Sequence, residues 1–111
     1  MEITFEEGDG NGVVAHVTGR IDTQTAAQFE ASLSPKVTSS AWLVADLAEV
    51  NYVSSAGLRS VLVLAQTAQH DDCRLALCGL SADVYGIFEI TGFQNIVPIH
   101  ADVSAALAAL G

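Results

Sequence analysis

Two short segments, Trp42-Leu43-Val44-Ala45 and Arg74-Leu75-Ala76-Leu77-Cys78, constrain this chain most. Both are near-continuous apolar runs of strand length. A strand that is apolar on both faces belongs in a sheet covered on both sides, as parallel sheets are. The intervening segments carry the helical period instead. Ala26, Phe29 and Leu33 fall on one face, as do Leu58, Val61, Leu62, Ala65 and Ala68. Val84, Ile87 and Phe88, with Ile90 beside them, form a third stripe, and Val103, Ala106, Leu107 and Leu110 a fourth. Strands alternating with amphipathic helices predict parallel pairing through right-handed crossovers.

Ahead of these units, Ile3 and Phe5 alternate with polar neighbours, and Val13 to Thr18 is rich in β-branched residues. The Gly8-Asp9-Gly10-Asn11-Gly12 connection makes the two an antiparallel hairpin, because Gly and Asn take positive φ at little cost. Boundaries follow from caps and breakers. Thr25 with Gln28 spells a capping box at the first helix. Ser34-Pro35 is expected to end that helix, with Lys36 to Ser40 a loop. Asp46 is expected to stop the third strand, leaving Leu47 to Ser54 as a connection. Thr91-Gly92 closes the third helix, Ile96 to Ile99 reads as a last strand placed at an edge by Pro98, and Asp102 caps the final helix. The order is β-β-α-β-α-β-α-β-α, an α/β fold with a mixed sheet and four helices. At 111 residues, the expectation is a single domain spanning residues 1–111.

Charge narrows the partners. Thirteen acidic residues against four Lys and Arg give a net charge of −9, and Arg20, Lys36, Arg59 and Arg74 are scattered. Direct nucleic-acid binding, which rests on clustered cations neutralising phosphates, is not expected; nor is an anionic membrane surface. The acidic N-terminus is unlike a secretory signal, and no apolar run approaches the roughly 18 residues of a membrane span, so a cytoplasmic location without membrane insertion is expected. Cys73 and Cys78 have neither redox nor zinc spacing and read as reduced thiols. His16, His70 and His100 show no metal spacing, and no nucleotide-binding glycine motif is present, so neither metal nor cofactor is expected.

The most informative stretch runs from Asp46 to Arg59: a strand, a loop, then Ser54-Ser55 opening a helix. Helix N-termini present free N–H groups and partial positive charge, which favours phosphate there. Ser54 and Ser55 are therefore either caps or phosphate carriers.

Gly19-Arg20-Ile21-Asp22, Asp46-Leu47, Tyr52-Val53-Ser54-Ser55-Ala56-Gly57-Leu58-Arg59 and Gly92-Phe93, taken in order and spacing, resemble the landmarks of the STAS domain family. Within it they are similar to the single-domain anti-sigma factor antagonists of bacteria. The resemblance implies the STAS fold and no enzymatic activity. It implies an acceptor serine at the start of the second helix, phosphorylated by an anti-sigma factor that is also a serine protein kinase and dephosphorylated by a metal-dependent serine phosphatase. The unphosphorylated form would bind the anti-sigma factor and free its sigma factor. By residue matching Ser55 is the acceptor and Ser54 a second candidate. Ser54 stands where many members have Asp, and Ala56 where many have Ser or Thr. Asp22, Asp46, Ser54, Ala56, Gly57, Leu58 and Arg59 would form the partner-facing surface, with Asp22 and Asp46 expected to border Ser55. Two rivals stand beside this reading: an unphosphorylated accessory subunit of a lipid- or anion-transport complex, and a small hydrolase using Ser55, Asp46 and a histidine.

Overall fold

The computed structural model describes residues 1–110. Its elements are β1 (Glu2–Gly8), β2 (Gly12–Ile21), α1 (Ala26–Ser39), β3 (Trp42–Val53), α2 (Ser55–His70), β4 (Arg74–Cys78), α3 (Ala82–Thr91), a 3-10 turn (Phe93–Asn95), β5 (Ile99–His100) and α4 (Val103–Leu110). The strands form one sheet in the order β1-β2-β3-β4-β5, with β1 antiparallel to β2 and the remaining pairs parallel. Strands that neighbour one another in chain order, joined by right-handed crossovers, must place every crossover helix on the same side. Accordingly α1, α2 and α3 cover one face. Phe29, Leu33, Val61, Leu64 and Phe88 pack there against Ala15, Val17, Leu43, Ala45 and Leu77. Among the described residues the other face is covered only by α4, where Ala106 meets Val14, Val44 and Cys78. Both Cys73 and Cys78 are buried free thiols, and burial, reinforced by Asp46 and Asp102, pushes the Cys78 thiol up to about 12.

Several boundaries differ from those expected. The α1 helix does not stop at Pro35 but runs to Ser39. Proline removes one backbone donor, here that of the bond to Ala31, and Ala31 is exposed, so its carbonyl can be solvated. Fully buried Val37 anchors the extra turn, and the Thr38 and Ser39 hydroxyls donate to the Pro35 carbonyl at 3.0 and 2.8 Å. Nor does the capping box form: Thr25 Oγ1 accepts from the Asp22 amide and donates to the Arg20 carbonyl, while the Asp22 carboxylate takes the Gln24 and Thr25 amides.

The strand β3 continues through Asp46 to Val53, pairing with β2 as far as Ile21↔Val53. Between His16↔Asp46 and Thr18↔Glu49, and again between Gly19↔Val50 and Arg20↔Tyr52, β3 carries one extra residue. These bulges replace the two-residue alternation by burial at Leu47, Val50 and Val53, a spacing no strand template recognises. The last strand is only Ile99–His100, at the edge as Pro98 suggested. Ile90 faces solvent, 88% exposed, and Phe5 on the edge strand is exposed beneath Lys36. Among the described residues no helix is long and apolar enough to cross a membrane.

Candidate functional site at the start of helix α2

Three contacts clamp the entry of α2 to the end of β2 and the first turn of α1. The Ser54 amide donates to the Ile21 carbonyl at 2.9 Å. Gly57 lies against Ile21 so closely that a Cβ there would fall 2.5 Å from the Ile21 carbonyl oxygen. Buried Ser60 donates its hydroxyl to the Ala26 carbonyl at 3.1 Å. The first turn of α2 is thus fixed beside Asp22.

The two serines divide their roles. Ser54 is the N-cap, its Oγ accepting from the Gly57 amide at 3.2 Å and its carbonyl from the Leu58 amide at 2.9 Å. Ser55 is the first residue of the helix, exposed, and its hydroxyl has no hydrogen-bond partner among the described residues. Ala56 is half-buried and Arg59 exposed, whereas Gly57 and Leu58 are buried beneath the surface and serve its packing.

Beside this turn the polar residues form a small network. Arg20 lies over the Tyr52 ring, 4.5 Å from its centroid, and its Nε donates to the Asp22 carboxylate at 3.3 Å. Desolvation works against that carboxylate, but donors from the Gln24 amide, Arg20 and Thr25 outweigh it and hold the pKa below the ordinary aspartate range.

The structure separates Asp46 from the rest. Six residues of strand lie between it and Val53, and seven steps of roughly 3.3 Å make about 23 Å. Its side chain shares the α4-side face with His16, whose Nδ1 it meets at 2.9 Å. It does not border Ser55. The His16–Asp46 pair would be the acid–histidine half of a hydrolase triad, yet it lies too far from Ser55 to act on it.

A STAS domain model matches residues 2–106. The chain belongs to the STAS domain family. It is 37% identical over 110 residues to BtrV of Bordetella bronchiseptica, named as an anti-sigma factor antagonist, across 98% of this chain and 94% of that protein. To the anti-sigma-B factor antagonist of Listeria monocytogenes it is 32% identical over 100 residues, across 89% of this chain and 88% of the relative. The STAS fold seen here is that of the anti-sigma factor antagonist SpoIIAA in its unphosphorylated form, with a TM-score of 0.81 at 18% identity over 98% of this chain and 96% of that one. The phosphorylated form of SpoIIAA, from Bacillus, overlays with a TM-score of 0.75 at 17% identity, covering 99% of this chain and all (100%) of that one.

In this STAS chain, Ser54→Ala removes one cap bond and is expected to cost about 1 kcal/mol, the usual loss on removing a Ser cap. Denaturant unfolding measures it; a loss below about 0.3 kcal/mol would mean that water replaces the cap without cost.

The His16 ring on the α4-side face of the STAS sheet has a carboxylate oxygen at each nitrogen, Glu6 at 3.1 Å and Asp46 at 2.9 Å. Only the imidazolium can donate to both. The Glu6 hydrogen bond, then that of Asp46, raise the His16 pKa against a smaller opposing desolvation. A raised folded-state pKa contributes stability that is fully present below the unfolded value near 6.5 and lost as pH rises through the folded value. The stability difference between wild type and His16→Gln should therefore shrink between pH 6 and the alkaline side of that range. The comparison cancels His70, whose pKa is raised by its Asp71 hydrogen bond. A pH-independent difference would mean that His16 is neutral throughout.

Proposed function

We propose that this chain is an anti-sigma factor antagonist switched by phosphorylation at Ser55: a binding adaptor, not an enzyme. Unphosphorylated, it docks the exposed first turn of α2, with Asp22 and Arg59 alongside, onto an anti-sigma factor that is also a serine kinase, releasing the sigma factor. ATP and its metal belong to the kinase. A metal-dependent phosphatase resets the switch.

The observation that carries this reading is the state of the Ser55 hydroxyl: exposed, unpartnered and held on a clamped helix start, whereas the Ser54 hydroxyl is occupied as a cap. Whole-length likeness to named antagonists supports the same reading. A phosphate at Ser55 adds about −1.5 to −2 charge and sits where helix N–H groups tolerate it by about 0.3–1 kcal/mol. The fold therefore accepts the modification. A partner docking on the same turn would have to desolvate that charge beside the ionised Asp22, which is where binding fails. An accessory role in a transport complex has no use for a free acceptor hydroxyl.

The test is incubation with the serine-kinase anti-sigma factor and Mg-ATP, followed by intact-mass measurement. One added phosphate is expected on wild type and on Ser54→Ala, and none on Ser55→Ala. Phosphate on Ser54, or none on any form, would overturn the assignment of Ser55.

A further inference from the structure

Arg20, Lys36, Arg59 and Arg74 are the four Lys and Arg residues of the chain. Three of them are engaged. Arg20 stacks on Tyr52 and donates to the Asp22 carboxylate. Lys36 stands over the Phe5 ring, 5.1 Å from its centroid. Arg74 donates to the Leu110 and Ala109 carbonyls at 2.9 and 3.5 Å. Arg59 is exposed and has no carboxylate, carbonyl or ring partner among the described residues.

Its place in α2 is a poor one for an unpaired cation. The helix contains no acidic residue, so Arg59 has no ion-pair partner within its own element. One turn away stand Leu62 and Val63 on one side and Ala56 and Ser55 on the other, and of these only Ser55, four residues back, is polar. Side chains four apart on a helix have Cβ atoms about 5–6 Å apart, and long helical side chains lean toward the N-terminus. The reach of Arg59 therefore covers the first turn and Ser55. At that end the helix dipole disfavours a cation, and no acid in the first turn offsets it. An anion on Ser55 would reverse the sign of that interaction.

We infer that Arg59 captures the phosphate on Ser55 and is thereby withdrawn from the docking surface, an inference that rests on the phosphorylation proposed above. The planar guanidinium fork matches phosphate oxygens bidentately, and an anion four residues ahead of a cation is the favourable order on a helix. Before phosphorylation Arg59 is the uncommitted cation beside Ser55 and meets a carboxylate of the anti-sigma factor. Afterwards the phosphate holds that cation within this chain. Phosphorylation thus changes the turn twice: it adds negative charge, and it removes the positive group that the partner's acid needs. A carboxylate left in the interface without its cation weakens the complex further. Arg20 is the wrong residue for this role, because its Nε is committed to Asp22 and its plane to Tyr52.

The test installs the phosphate without the kinase. Phosphoserine is placed at position 55 of the full chain by genetically encoded incorporation, and its phosphate is titrated by phosphorus NMR. The second phosphate pKa, ordinarily about 6, should rise by at least about half a unit in Arg59→Gln relative to wild type. It should rise less in Arg59→Lys, which keeps the charge without the fork. The helix N–H groups and Asp22 act on the phosphate alike in these variants, so the difference isolates Arg59. Unphosphorylated Arg59→Gln should bind the anti-sigma factor at least about fivefold more weakly than wild type, with thermal melts verifying the fold. An unchanged titration in Arg59→Gln, a larger shift in Arg20→Gln than in Arg59→Gln, or full affinity of unphosphorylated Arg59→Gln would overturn the inference. A failed titration speaks against Arg59 alone, whereas Ser55 left unmodified by the kinase speaks against the switch itself.

Discussion

Replacing Ser55 by Asp should lower affinity for the anti-sigma factor at least about 100-fold, or ~2.7 kcal/mol, while leaving the melting temperature within a degree or two of wild type. The two halves of this expectation come from the same geometry. A carboxylate at the first helical position meets free N–H groups and the positive end of the helix dipole, a stabilising term of about 0.3–1 kcal/mol at an exposed site. Among the described residues the Ser55 side chain makes no hydrogen bond that the substitution could break, and it is exposed. On the proposed docking turn the new charge would lie next to an Asp22 already held ionised by Arg20 and two backbone amides. Like charge in an interface costs several kcal/mol unless the partner supplies a cation. Ser55→Ala should bind like wild type, because the exposed hydroxyl has no hydrogen-bond partner among the described residues and the proposed switch uses it only to carry phosphate. Titration calorimetry against the purified anti-sigma factor, with thermal melts of each variant, measures both halves. Equal binding by the Asp variant, or a melt lowered by many degrees, would sink the switch mechanism.

What the sequence disclosed and what it hid follow from periodicity. The hairpin, the alternation of strand and helix, and the Gly92 and Asp102 boundaries were legible because each rests on local chemistry: β-branched alternation, a positive φ of 77° at Gly92, a side-chain cap from Asp102 to the Ala105 amide. The second half of β3 was hidden because two bulges convert its period from two to three. Once β3 is read as ending at Asp46, that residue is wrongly carried to the edge of the site. The continuation of α1 past Pro35 was hidden because a buried Val37 outweighs a lost hydrogen bond, a tertiary fact. At the site, Ser55 was marked by its place at a helix start, but nothing local distinguished it from Ser54. Only the Ser54–Gly57 bond does so. Arg20 and Tyr52 escaped notice as a pair because they are 32 residues apart and meet through strand register. Ser60 gave a faint signal, a hydroxyl on the apolar stripe of α2, which is unusual unless it has a buried partner.

Gly57→Ala should destabilise the domain by about 2 kcal/mol, lowering the melting temperature by roughly 10 °C, and should weaken anti-sigma factor binding as well. By intrinsic preference the sign would be opposite, since Ala is favoured over Gly inside a helix by up to ~1 kcal/mol and restricts the unfolded chain. What reverses it is the contact. A Cβ on residue 57 would lie 2.5 Å from the Ile21 carbonyl oxygen, 2.9 Å from Ile21 Cγ2 and 3.0 Å from Val53 Cγ1. The oxygen is backbone and already receives the Ser54 amide, so it cannot rotate aside without opening the bond that ties α2 to β2. Relief requires α2 to lift from β2, which carries Ser55 away from Asp22. Stability and binding should therefore fall together, unlike in Ser55→Asp, where only binding falls. Gly86→Ala in α3 is the internal control: nothing lies within 4 Å of its Cβ position, so it should stabilise by about 0.4–1 kcal/mol. If Gly57→Ala melted at or above wild type, the clamp between Ile21 and the first turn of α2 would be looser than its distances imply, and Ser55 would owe its position to the Ser54 and Ser60 bonds alone.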